Sequence, residues 1–169
     1  MSNNIDTNRS DEGITSFYPD IIPAEEGHPT SAEFLVEETG DARGKGLRAN
    51  VAFRNDQFVA KLSGVVVSET TLDTIQLTPT LHFADQWFCR FLLHSCNPNL
   101  QIDVEHLHVR ALRNISAGEY LTIDYANTDD AVAFQFACHC GAPNCRRWIT
   151  GRTEEIDKEG RSYLAQQTP

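Results

Sequence analysis

Three cysteines near the C-terminus, Cys138, Cys140 and Cys145, stand in the spacing C-x-C-x4-C. Thiolates this close can share one tetrahedral Zn(II) ion, and the ion then needs a fourth ligand. Cys96 is the first choice, because Ser95-Cys96-Asn97-Pro98-Asn99 is turn-forming and would present the thiol on a loop. His139 competes from inside the cluster, but adjacent residues rarely both reach one tetrahedral ion. The bland reading is a disulfide pair with spare thiols. The polar Met1 to Asp11 lacks the apolar core of a signal peptide, and no apolar run approaches the ~20 residues of a spanning helix. The expectation is therefore an intracellular, reducing setting, where clustered cysteines hold metal more often than they pair. Cys89, among Trp87, Phe88 and Phe91, reads as a small buried hydrophobe. A metal tying Cys96 to residues 138–145 would also bring Trp148 against the loop that carries His94, building a pocket from distant segments.

Composition bounds the partners. The chain has 169 residues, and 24 acidic against 14 basic side chains give a formal charge of -10. A nucleic-acid binder would show a basic patch instead, so direct nucleic-acid contact is not expected. The balance favours a basic partner such as a lysine-rich peptide, although acidity also serves solubility alone. Apolar content of 40% with nine phenylalanines is that of a folded chain, and the length fits one domain with no membrane segment.

Positioning these groups falls to short strands. Residues 1–31 are rich in Asn, Ser, Asp, Pro and Glu without periodicity and read as a flexible tail or a loosely docked arm, with Phe17-Tyr18 and Ile21-Ile22 its only apolar cluster. Strand-like runs follow at 32–37, 51–53, 57–62 and 65–68, with a glycine-rich turn over 40–46 and a short strand around 75–77. Apolar residues at Trp87, Phe88, Phe91 and Leu92 predict a short helix over 85–93. Clean alternation makes 100–104 and 107–112 a hairpin, and 120–125 the next strand. A second short helix is predicted over 131–136, capped by Asp129 or a neighbour. After Cys145 the chain reads as a charged tail.

These residues carry a resemblance. Arg90-Phe91-Leu92-Leu93-His94-Ser95-Cys96-Asn97-Pro98-Asn99 resembles the R-F-x-N-H-S-C-x-P-N motif of SET-domain lysine methyltransferases. Gly118-Glu119-Tyr120-Leu121-Thr122-Ile123-Asp124-Tyr125 is similar to that family's G-E-E-L-T-x-D-Y. Cys138 to Cys145 with Arg146-Arg147-Trp148-Ile149 looks like its zinc-binding post-SET segment. Gly44-Lys45-Gly46-Leu47-Arg48-Ala49 matches the early G-x-G-L-x-A turn, and Leu62-Ser63-Gly64 sits where the family has Y-x-G-E. The pieces come in family order from about Phe34 to Gly151.

The resemblance implies a mainly β, β-clip-like SET fold with short helices, a pseudoknot that threads the H-S-C segment under another strand, and a zinc-bound C-terminal segment. The implied boundaries are a SET domain over 32–130, a post-SET segment over 131–151 and a tail over 152–169. It implies S-adenosylmethionine as cofactor, contacted by Lys45, Gly46 and Leu47 through backbone, by Arg90, Phe91, His94 and the Leu93 position, and by Trp148 near the adenine. Tyr125 matches the catalytic tyrosine, and Cys96, Cys138, Cys140 and Cys145 match the zinc ligands. The implied substrate is a protein lysine entering a narrow channel from the opposite face. Three departures stand out. Leu93 replaces the motif's asparagine, Leu62 and Val65 replace the tyrosine and glutamate of Y-x-G-E, and Ile123 stands where Tyr or Phe is common. They predict a less aromatic, wider channel. They also keep two alternatives open, chemistry on a small amine and a non-catalytic binding module.

Overall fold

The computed structural model describes residues 13–167. Its frame is a set of small sheets. Strands β1 (Phe34–Glu38) and β2 (Lys45–Ala49) form an antiparallel pair. Gly44 closes the turn between them at φ +73°, a conformation that glycine reaches without a Cβ penalty. β3 (Phe58–Lys61) belongs to a three-stranded sheet with the hairpin formed later in the chain. β4 (Val65–Val67), β5 (Thr74–Thr78) and β6 (Leu81–Ala84) make a second antiparallel sheet in the order β4-β6-β5.

The predicted helix over 85–93 is one 3-10 turn at Cys89–Phe91. Asp85 accounts for the difference, because its carboxylate takes the N–H groups of Trp87 and Phe88 and tightens the chain locally. β7 (Leu93–His94) follows, then the expected hairpin of β8 (Leu100–Asp103) and β9 (His108–Ala111), which completes the β3-β9-β8 sheet. β10 (Thr122–Ile123) pairs in parallel with β7, Thr122 beside Leu93 and Ile123 beside His94, so two distant segments lie side by side. Buried Asn99 fastens this junction: its amide donates to the Tyr120 carbonyl and accepts from Thr122 N–H, both at 2.8 Å.

The second predicted helix lies elsewhere. Residues 131–136 are not helical; the helix is α1 (Tyr125–Thr128), and its cap is Asp124, which accepts from Ala126 N–H. Asp129 instead accepts from the Gln76 N–H at 2.8 Å and so ties this region to β5. β11 (Phe136–Ala137) and β12 (Trp148–Ile149) pair antiparallel across the cysteine segment. Residues 152–169, read as a tail, contain α2 (Lys158–Gln166), started by the Asp157 side chain on Gly160 N–H.

The main core is aromatic. Phe34 stacks on Phe53 at 5.7 Å and meets Phe88 edge-on at 5.0 Å. Truncating a fully buried phenylalanine such as Phe88 costs about 3–5 kcal/mol. Residues 13–31 contribute to this core and are not a free arm. Phe17 meets Phe34 and Phe88 edge-on, and Tyr18 is 4% exposed with its hydroxyl donating to Asp85 at 2.8 Å. The remainder of the predicted tail, residues 1–12, lies outside the described residues. Among the described residues no helix is long and apolar enough to cross a membrane.

Candidate active site and metal centre

The three cysteines singled out by spacing meet Cys96, the fourth ligand expected from its turn. The sulfur atoms of Cys96, Cys138, Cys140 and Cys145 all lie within 4.8 Å of one another, with Cys96 and Cys138 at 3.9 Å. Four sulfurs at Zn–S distances near 2.3 Å sit roughly 3.8 Å apart, so the set fits a tetrahedral zinc ion. Backbone N–H groups point at two of the sulfurs. Cys96 Sγ accepts from Arg146 N–H, and Cys140 Sγ accepts from Cys96 N–H. Burial opposes ionisation at Cys140, but N–H groups from Cys96 and Ala142 outweigh it and bring its thiol down to about 6. Burial pushes Cys138 upward. His139 is exposed and lies near Tyr163, outside the cluster.

The early glycine turn and the central motif also meet. Leu121 N–H donates to the Leu47 carbonyl, and Leu93 N–H donates to the Leu121 carbonyl. Leu93 is buried against Gly46, where an added Cβ would lie 2.8 Å from Leu93 Cδ1 and 3.0 Å from Tyr120 Cδ1. Glycine at 46 is thus a matter of close approach. His94 is buried, and its Nδ1 accepts from Tyr125 N–H at 3.3 Å while Nε2 lies 3.5 Å from Cys96 Sγ. Burial, aided by Arg146 and opposed by Asp124, lowers its pKa to about 4, so the imidazole is neutral near pH 7.

Arg90 and Trp148 point to other neighbours. The Arg90 guanidinium lies over the Phe91 ring and 3.7 Å from the Asp73 carboxylate. The Trp148 ring packs under α2, with Tyr163 at 5.5 Å, Gly160 in direct contact and its Nε1 donating to Gln135. Lys45 presents an exposed position at the head of β2.

Tyr125 opens α1 and lines a narrow cleft of about 50 Å³. Its hydroxyl donates to the Leu92 carbonyl at 2.7 Å, which fixes the rotor and leaves the oxygen free to accept. Burial, with Asp73 adding to it, raises its pKa to about 12, so it remains a phenol at physiological pH. The cleft walls include Thr70, Asp73, Ile123, Phe134 and Phe136. Phe136 stands 6.1 Å from Tyr125 and 5.7 Å from His94. The sequence reading missed both phenylalanines; their alternation just before Cys138 was the available signal. Leu62 belongs to the core and Val65 is exposed, so neither lines the cleft. The aromatic walls come from the segment preceding the cysteines.

Residues 44–126 match the SET domain family. This chain carries a SET domain. It is 33% identical over 141 residues to a Debaryomyces hansenii protein named histone-lysine N-methyltransferase, H3 lysine-36 specific, covering 68% of this chain and 19% of that protein. A Candida albicans protein of the same name is 31% identical over 138 residues, covering 68% of this chain and 16% of that protein. The chain therefore spans about a fifth or less of these relatives. Among solved structures, KRYPTONITE in complex with mCHH DNA, H3(1-15) peptide and SAH superposes with a TM-score of 0.56 at 27% identity, over 68% of this chain and 29% of that one. These likenesses agree with the mainly β architecture, in which the described residues form two short α-helices.

Proposed function

We propose that this protein transfers a methyl group from S-adenosylmethionine to the ε-amine of a lysine in a basic protein segment, with a histone tail the first candidate. The observation that carries the reading is Tyr125: a protonated, rotor-fixed hydroxyl in a slim, partly apolar cleft. The relatives named as histone-lysine methyltransferases and the net charge of -10 support the substrate class. A histone substrate would put the protein in the nucleus.

When bound, the cofactor supplies an electrophilic methyl group on a sulfonium. Lys45, Gly46, Leu47, Arg90, Phe91, Leu93, His94 and Trp148 are the proposed cofactor-side residues. Gly46 and Leu47 on β2 and Leu93 and His94 on β7, linked through Leu121, fit that use through their backbone, since Leu93 offers no polar side chain and the His94 ring is engaged within the protein. A lysine is mostly an ammonium at pH 7, its ordinary pKa being about 10.4. Entry into a narrow cleft strips water and favours the neutral amine. Tyr125 Oη then accepts an amine N–H and holds the lone pair toward the methyl. Direct displacement gains chiefly from such alignment. Asp73, half-exposed on the cleft wall, offers an arriving ammonium its first charge partner.

A second reading, a binding module without catalysis, is favoured by one feature, the leucine at 93. Incubation with S-adenosylmethionine and either histone H3 or free lysine, followed by measurement of S-adenosylhomocysteine, separates the readings. Methyl gain on an H3 lysine supports the proposal. Turnover confined to free lysine, or none beside a calorimetric absence of cofactor binding, overturns it.

A further inference from the structure

Resting on that reading, we propose that Arg146 is a positioning residue that transmits occupancy of the cysteine site to Tyr125 through Asp124. Arg146 directly follows Cys145, and its backbone N–H donates to Cys96 Sγ at 3.4 Å. Its place is therefore set by the sulfur cluster itself. Its guanidinium grips Asp124 with two nitrogens, Nη1 on Oδ2 at 2.9 Å and Nη2 on Oδ1. Asp124 is 6% exposed; Arg146 grips it, and His94 Nδ1 lies 3.8 Å from its Oδ1.

Asp124 in turn governs the start of α1. Its Oδ1 accepts from Ala126 N–H at 3.1 Å, which satisfies one of the free N–H groups of the first turn, and Tyr125 is the first residue of that turn. The carboxylate thus faces two ways, toward the arginine fixed at the sulfurs and toward the turn that carries the phenol. A planar guanidinium with paired donors holds a carboxylate in one orientation, which a flexible ammonium does less well.

The physical consequence is directional. With the four sulfurs gathered by zinc, Arg146 is held over Asp124, the cap stays in register, and Tyr125 keeps its aim. With the sulfurs released, Arg146 moves away from a nearly buried carboxylate. Asp124 must then find water or another donor, and the cap loosens. His94, whose Nδ1 accepts from Tyr125 N–H, is a parallel support from β7.

The test compares amide hydrogen exchange in the zinc-loaded and zinc-depleted 169-residue chain, with Val109 in the β3-β9-β8 sheet as the control for intact fold. In the wild type, zinc is expected to slow exchange at Ala126 by about tenfold. Arg146→Gln should bind zinc with unchanged stoichiometry yet lose that slowing, and Arg146→Lys should recover part of it. Asp124→Asn, which keeps a cap oxygen but not the charge, should also lose the zinc dependence. Full slowing in Arg146→Gln, or none in the wild type while Val109 stays protected, overturns the proposal. This readout needs no methyl transfer, so its failure is distinct from failure of the proposed activity. If transfer occurs, Arg146→Gln should lower kcat about tenfold with little change in KM; a loss confined to KM contradicts a positioning role.

Discussion

The molecule holds two regions together by different physics. Around Phe34, Phe53 and Phe88, nineteen of the described residues form one buried apolar cluster, reinforced by Phe17 and closed by the Tyr18–Asp85 bond. Around Cys96, Cys138 and Ile149, among the described residues, those three buried residues make the cluster, with Tyr125 and Phe136 leaning on it. The first region is stable through burial. The second depends on sulfur ligation, the Arg146–Asp124 pair and a few cross-segment bonds. Burial holds the scaffold, while the aim of Tyr125, which packs on both clusters, is proposed to depend on the metal.

The widest separation between the regions should come from Cys138→Ser or exhaustive chelation. A structural zinc site contributes on the order of 10 kcal/mol to ordering its segment. Limited proteolysis should then open residues 131–151 while the β3-β9-β8 sheet stays protected, and methyl transfer should vanish. Simultaneous loss of both regions would erase the distinction. Next, Tyr125→Phe should lower kcat about 100-fold through lost alignment while the melting temperature barely moves. A large melting shift would assign Tyr125 to the scaffold instead.

Two smaller effects belong to the first region and its border. Gly46→Ala forces Leu93 and Tyr120 apart and should cost about 1–3 kcal/mol in urea unfolding, with the cysteine site still loading zinc. Tyr18→Phe removes a donor to Asp85 and strands the Ser63 N–H that the hydroxyl accepts, costing about 1 kcal/mol without changing transfer rates. A change in activity rather than stability from Tyr18→Phe would mean that the arm reaches the site.

Much of the second region was legible because chemistry leaves local signatures. Cysteine spacing nominated three of the four sulfurs that converge, the turn at 95–99 nominated Cys96, and the resemblance alone implied the threading that pairs β7 with β10. The hairpin of β8 and β9 was readable from alternation alone. Long-range polar bonds left no such trace. Tyr18 looked like part of a tail because its partner, Asp85, is 67 residues away. Asp85 also broke the expected helix by taking two backbone N–H groups. Asp124 and Asp129 are equivalent as caps in sequence, and only the Arg146 and Gln76 contacts decide their roles. Phe134 and Phe136 entered the cleft because β11 pairs with β12 across the cysteines, a register that periodicity does not reveal.

The central claim is a methyl transfer whose catalytic tyrosine is held by a metal-dependent segment. Mass spectrometry of histone H3 incubated with S-adenosylmethionine tests it most directly, using zinc-loaded protein, zinc-depleted protein and the Tyr125→Phe variant. The account predicts lysine methylation by the loaded protein, recovery when zinc is restored to the depleted one, and near-complete loss in the variant. No methylation by the loaded protein, or equal methylation by all three, would contradict it.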